Sequence, residues 1–291
     1  MDRVLEQLSA VLGQQVAFKQ ARGVGGGCIH HATRLETSAG VFFLKWNDRC
    51  ASDLFLREAE CLQELAKAVR PPLAIPKVYA AAAVGEIPGF LVLEFLEPDQ
   101  SPVVSDEMLG EGVAWLHRYT TERFGFYHNN YCGATVQDNR WNTGWPDFFA
   151  RQRIGFLVEQ IRREGGFSPS ELNVFEKLIF QIPSILPRKS APALIHGDLW
   201  SGNYLLTENG PALVDPASCF ADREMEFGMI TLFGGFSPRF FAAYQAVNPL
   251  PAGWRERNRL YQLYHLLNHY LLFGGGYRAE AVSAARYFAG K

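Results

Sequence analysis

The sequence predicts a two-lobed α+β fold, with a small antiparallel-sheet lobe over residues 1–97 and a larger, mainly helical lobe over 98–291. Three observations carry this. Strand-like runs separated by glycine turns crowd the first hundred residues. One amphipathic helix interrupts them, and beyond residue 102 the apolar spacing is helical apart from a short hairpin around Glu208-Asn209-Gly210.

Taken in order, Val4, Leu5, Leu8, Val11 and Leu12 recur at helical spacing and predict an opening helix. Residues 16–19, 29–36 and 41–46 are expected to be strands, with the glycine run Gly23-Val24-Gly25-Gly26-Gly27-Cys28 between the first two. Ser52 or Asp53 is expected to cap a helix running to about Ala66. Strands at 75–79 and 90–96 complete the sheet, and Glu97-Pro98-Asp99-Gln100-Ser101-Pro102 is the break where the lobes meet. Residues 107–119 then form a helix, residues 193–195 are a short apolar run leading into a loop, and residues 204–206 and 212–214 form two short strands.

Composition narrows the function classes. With 28 Lys and Arg against 30 Asp and Glu, net charge -2, and no basic cluster, the chain has no footprint for nucleic acid or an acidic membrane. The first 16 residues lack the basic-then-apolar order of a signal peptide, and no apolar stretch approaches the ~18 residues of a membrane span. Five widely spaced cysteines, Cys28, Cys50, Cys61, Cys132 and Cys219, form no C-x-x-C pair, which argues against a disulfide framework or a zinc site and predicts free thiols in a cytoplasmic protein.

The chemistry concentrates in His196-Gly197-Asp198-Leu199-Trp200-Ser201-Gly202-Asn203 and in Asp215 after the hairpin. Phosphoryl transfer from Mg·ATP needs a carboxylate to take the proton of the attacking hydroxyl, and oxygen ligands for the metal. Asp198 in the D-x-x-x-x-N spacing supplies the base, Asn203 and Asp215 the metal ligands Mg2+ requires. Gly25, Gly26, Gly27 and Cys28 can lay backbone N–H groups against phosphates, because no side chain blocks the approach. Lys45 shares a strand face with Phe43 and Val41, where an ammonium is costly unless paired, and Glu58 lies on the inward stripe Phe55, Glu58, Leu62, Leu65 of the next helix. The backbone of Glu94, Phe95 and Leu96 is the expected seat of the adenine. Few residues separate Asp215-Pro216-Ala217 from the next helix near Glu224, which leaves no room for a long activation segment and suits a small acceptor.

On these residues the chain resembles the fructosamine/ketosamine 3-kinase family, a branch of the aminoglycoside phosphotransferase and choline kinase group with a protein-kinase-like fold. Beyond the His-Gly-Asp loop, the similarity rests on Asn129-Asn130-Tyr131-Cys132-Gly133-Ala134-Thr135 followed by Gln137, Asn139, Trp141, Trp145 and Phe148-Phe149, and on Leu232-Phe233-Gly234-Gly235-Phe236. The resemblance implies ATP-dependent phosphorylation of the 3-hydroxyl of ketosamines, on glycated lysine or free amines, as a deglycation step. It implies Asp198 as base, Lys45 with Glu58 on the phosphates, and His196 and Trp200 on the substrate side. Two other readings remain: a kinase of another small alcohol, such as choline or an aminoglycoside, and a nucleotide-binding protein without catalysis.

Three further expectations concern residues outside that set. Cys28, at the end of the glycine run, is expected to be an accessible thiol whose oxidation or intermolecular pairing blocks ATP, making the protein a monomer or a redox-sensitive homodimer. The tract from Asn129 to Phe149 either lines the ligand or packs on itself. His265 and His269 have the spacing of a helical metal pair but no third ligand nearby, so a structural helix is expected; His30 and His31 are assigned no role.

Overall fold

The computed structural model describes residues 1–25, 30–85, 87–99 and 106–290. The first lobe runs α1 (Asp2–Leu12), β1 (Phe18–Gly23), β2 (His31–Thr37), β3 (Gly40–Asn47), α2 (Leu54–Ala68), β4 (Val78–Ala82) and β5 (Gly89–Glu94). Its five strands form one antiparallel sheet in the order β1-β2-β3-β5-β4. Alternation along β3 gives the sheet two different faces. Phe42 and Leu44 pack with Val4 and Leu8 of α1, whereas Phe43 turns to the α2 side with Phe55 and Leu62. Lys45 shares that second face, buried at 8% exposure.

The second lobe runs α3 (Asp106–Leu116), β6 (Asn130–Cys132), β7 (Thr135–Gln137), α4 (Trp145–Phe148), a π-helical segment (Phe149–Gly155), α5 (Phe156–Arg163), α6 (Pro169–Ile185) and β8 (Ala193–Ile195). It continues with β9 (Tyr204–Thr207), β10 (Gly210–Leu213), β11 (Cys219–Ala221), α7 (Glu224–Leu232), α8 (Pro238–Val247), α9 (Trp254–Phe273) and α10 (Tyr277–Ala289). The strands here serve the loops rather than a large sheet: β9 pairs with β10, β8 with β11 and β6 with β7, all antiparallel. The two-lobed α+β fold expected from the sequence is the fold observed.

Several local expectations need correction: the first strand spans Phe18–Gly23 rather than 16–19, and the helix expected over 107–119 is Asp106–Leu116. The strand expected at 75–79 begins only at Val78, because the backbone just before it is used by the other lobe: the Ala74 N–H donates to the Pro211 carbonyl (2.9 Å) and the Leu213 N–H to the Ala74 carbonyl (3.0 Å). Asp53 stands at the N-cap of α2 but makes no side-chain cap bond; its Oδ1 instead accepts from the Tyr131 hydroxyl at 2.6 Å. α2 also reaches beyond its own lobe, since Cys61, Leu65 and Ala68 belong to the second lobe's core. Beyond β5 the chain crosses over, and the Asp99 N–H donates to the Leu206 carbonyl of β9 at 2.8 Å.

Candidate active site

Lys45 is held between the lobes. Its Nζ donates to both Glu58 carboxylate oxygens (2.9 and 3.0 Å) and to Asp215 Oδ1 (3.0 Å), so β3, α2 and the turn after β10 meet at one ammonium. Burial opposes that charge, but Glu58 and then Asp215 outweigh it and hold the lysine above its ordinary value. Burial raises Glu58. For Asp215, burial also favours the neutral acid, yet Lys45 overcomes it and keeps the carboxyl below the usual range. Asp215 is the one described non-glycine residue with a left-handed backbone, φ 54°, and it turns its carboxylate into the cleft.

The loop after β8 carries the second carboxylate. Asn203 Nδ2 donates to the Asp198 carbonyl (2.8 Å) and to Asp198 Oδ2 (3.1 Å), while the Val214 N–H donates to the Asn203 carbonyl (3.0 Å). Among the described residues no lysine or arginine pairs with Asp198. Burial, which the Asn203 bond only partly offsets, and the nearby charges of Glu226 and Asp215 push its carboxyl up to about 7.

His196, expected on the substrate side, is instead fully buried behind the loop. Its Nε2 donates to the Val214 carbonyl (2.8 Å) and its Nδ1 accepts the Asp198 N–H (3.3 Å), which assigns the Nε2–H tautomer and makes the ring a brace. Gly197 adopts φ 87°, and a Cβ there would stand 2.1 Å from the Ala217 carbonyl oxygen, so only glycine allows the loop to lie this close to residues 215–217. Trp200, by contrast, is 38% exposed, too open for a core residue. Its indole lies over Gly202, where a Cβ would come within 2.4 Å of the ring.

The tract from Asn129 to Phe149 packs on itself and on the back of the site. Trp145, Phe148 and Phe149 are fully buried in the core. Asn130 Nδ2 donates to the Ser218 carbonyl (2.7 Å), Gln137 Nε2 to the Ala217 carbonyl (3.0 Å), and Asn139 Nδ2 to Asn130 Oδ1 (2.7 Å). These amides fix the backbone just past Asp215.

The structure brings Lys45, Glu58, Asp198, Asn203 and Asp215 to one cleft. Glu94, Phe95 and Leu96 form the end of β5 and the start of the irregular crossing segment, with the Glu94 side chain exposed and its Oε2 accepting the Lys77 N–H (3.1 Å). Gly25 is exposed with open space around it, whereas Gly26, Gly27 and Cys28 lie outside the described residues.

Sequence reasoning missed several participants. Glu226 of α7, fully buried, accepts the His196 N–H (2.6 Å) and the Gly197 N–H (2.9 Å) and so clamps the loop from below. A carboxylate in the apolar run Met225-Glu226-Phe227 was the available signal. His30 bonds the Asn47 side chain (3.0 Å), and burial and then Lys45 lower it to about 4, so a neutral imidazole stands beside the Lys45 group. His265 and His269 do not act as a pair: His269 packs on Phe233, Phe273 and Tyr277, whereas His265 points toward Cys132 and Asp198.

A sheet lysine paired with a helix glutamate, facing an aspartate loop and a second aspartate across a cleft, defines a phosphotransferase of the two-lobed, kinase-like class. The sequence comparison then makes the assignment particular. The fructosamine kinase family profile matches residues 1–288, and the chain belongs to that family. It is 36% identical over 282 residues to a probable ketoamine kinase of Synechocystis sp., covering 96% of this chain and 93% of that protein. It is 35% identical over 283 residues to the chloroplastic protein-ribulosamine 3-kinase of Oryza sativa subsp. indica, covering 93% and 79%. A crystal structure of a Thermobifida fusca protein provisionally named fructosamine-3-kinase superposes with a TM-score of 0.86 at 30% identity, covering all of both chains.

Proposed function

We propose that this protein is an ATP-dependent ketosamine 3-kinase. It transfers the γ-phosphoryl group to the 3-hydroxyl of a sugar adduct, fructosamine or ribulosamine, on lysine or another amine. The observation that carries this is the Lys45 bridge between Glu58 and Asp215 beside the Asp198–Asn203 loop, in a chain of this family.

Asp198 takes the proton of the acceptor hydroxyl as its oxygen bonds to the γ-phosphorus; the bond to the bridging oxygen breaks and ADP leaves. Its raised pKa suits it to accept a proton near neutrality. Lys45, oriented by Glu58, holds the phosphates, the Gly25–Cys28 loop covers them, and the adenine lies along the Glu94–Leu96 backbone. Asn203 and Asp215 are the Mg2+ ligands. The donor set fits a hard cation: Asp215 stays ionised, and with its nitrogen committed to Asp198, Asn203 offers its oxygen. When bound, Mg2+ neutralises charge on the phosphate oxygens. Trp200 presents an open indole face to the sugar or the lysine stem. No described helix is long and apolar enough to cross a membrane, and the reading places the protein in the cytoplasm, with lobes meeting near residue 97.

The test is ADP release with Mg·ATP, comparing ribulose and fructose adducts of lysine with choline and an aminoglycoside, and Asp198→Asn as control. Turnover on an adduct, lost in the variant, is expected. Turnover on choline or the aminoglycoside alone would move the protein to another small-alcohol kinase, and nucleotide binding with no turnover on any acceptor would make it a binding protein.

A further inference from the structure

Cys132, Asp198 and His265 come from three separate elements: the end of β6, the loop after β8 and the middle of α9. Cys132 Sγ, a carboxylate oxygen of Asp198 and a ring nitrogen of His265 all lie within 4.8 Å of one another. Metal–ligand bonds of about 2.0–2.3 Å set the ligand atoms of a tetrahedral zinc site ~3.5 Å apart, so side-chain rotations moving each atom by about 1 Å close the set. A thiol, an imidazole and a carboxyl are the ligands zinc takes, whereas magnesium demands oxygens.

His265 adds an independent observation. The residue is 1% exposed and its Nδ1 has no hydrogen-bond partner, although buried polar atoms are nearly always satisfied. The surroundings also hold the ligands in place. Asn268, itself 2% exposed, donates Nδ2 to both Sγ and the carbonyl of Cys132 at 3.3 Å and leaves its Oδ1 unpartnered. The Tyr264 ring stands edge-on to His265 at 4.9 Å, and Asn203 Nδ2 donates to Asp198 Oδ2 at 3.1 Å.

We propose that Cys132, Asp198 and His265 form a binding site for zinc or a like borderline divalent cation, distinct from the magnesium ligands Asn203 and Asp215, and that its occupation arrests phosphoryl transfer. On binding, the Cys132 S–H bond breaks and its proton goes to buffer. Sulfur, one His265 nitrogen and one Asp198 oxygen then bond the cation, with water in the fourth position and no change of oxidation state. Asp198 is thereby withdrawn from the acceptor hydroxyl. This inhibitory consequence rests on the proposed role of Asp198 as base; the binding does not.

The test uses the full chain under a non-thiol reductant, with Co2+ as the spectroscopic probe and Zn2+ as the inhibitor. One equivalent of Co2+ is expected to give a thiolate-to-cobalt charge-transfer band with tetrahedral ligand-field bands, all displaced by Zn2+. Cys132→Ala and His265→Gln should each lose or weaken the signal, with thermal melts showing that both fold. In turnover at saturating Mg·ATP, Zn2+ should inhibit the wild type, and Cys132→Ala, active within about two-fold of it, should need at least roughly ten-fold more. Equal inhibition of wild type and Cys132→Ala would place the cation on Asn203 and Asp215 and overturn the proposal, as would the absence of a thiolate band. A protein with no turnover still answers through cobalt, so a failed function and a failed site are told apart.

Discussion

Asp198 and Asp215 face the same cleft and are held in opposite electrostatic states. Asp215 is bonded to Lys45 and kept below the usual carboxylate range, while Asp198, with a neutral amide as its partner, is pushed up to about 7. Two like side chains thus become a carboxylate favoured in its charged form and a carboxyl poised to change protonation near neutral pH, and the difference lies in what each is packed against. The charged partner suits metal and phosphate; the amide leaves a base poised near neutral pH.

The largest break in that contrast is Asp198→Asn. It should lower kcat by roughly 10²–10⁴-fold and leave the Mg·ATP dissociation constant almost unchanged. A matching loss of nucleotide binding would show that Asp198 serves the phosphates instead. The pH profile sharpens the same point. Only ionised Asp198 accepts a proton, so log kcat/KM should climb with pH, bend near 7 and then level, with no second bend from Asp215 on the acid side. The linkage runs the other way for stability: the folded pKa, about 7, exceeds the unfolded value of about 4, so ionising Asp198 costs stability as pH rises through this window. Asp198→Asn should therefore melt a few degrees above wild type at pH 8 and gain nothing at pH 4.

Next in size is Lys45→Met, which strands the buried Glu58 without a counter-charge. A loss of about 3 kcal/mol of stability and a roughly 10²-fold weaker affinity for ATP are expected, by denaturant melts and nucleotide titration. Unchanged ATP affinity would separate the lysine from the phosphates. Glu226→Gln should cost about 1–3 kcal/mol and lower kcat about ten-fold with little change in KM for ATP, since the clamp on the His196 and Gly197 amides weakens while the phosphate side is untouched. The smallest effect belongs to Gly202→Ala. Its Cβ would displace the Trp200 indole, raising the acceptor KM by about three-fold at constant ATP KM; an equal rise in both would place Trp200 outside the acceptor side.

Much of this was legible because the information was local. The lysine on β3 and the glutamate on α2 follow from period 2 and period 3.6 applied to neighbouring segments, and the structure joins them at 2.9 Å. The D-x-x-x-x-N spacing lies within one loop, and that loop places Asn203 against Asp198. The rest depended on contacts between distant segments. Nothing near Glu226 in sequence announces that its carboxylate sits under the His196 backbone. The family resemblance put His196 on the substrate side, yet its ring turns inward to the Val214 carbonyl. The amide-rich tract around Asn130 and Gln137 suits either a polyol or a backbone; the partner proved to be the backbone at Ala217 and Ser218.

The chain by itself determined the two-lobed α+β order and the residue types gathered for phosphoryl transfer, because periodicity, turn chemistry and motif spacing act over a few residues. Only the tertiary structure decided that Asp198 and Asp215 differ in charge state and that His196 braces the loop. It alone brought His265 to Cys132 and Asp198. Burial and the choice of partner arise where remote segments pack together, and no local pattern encodes them.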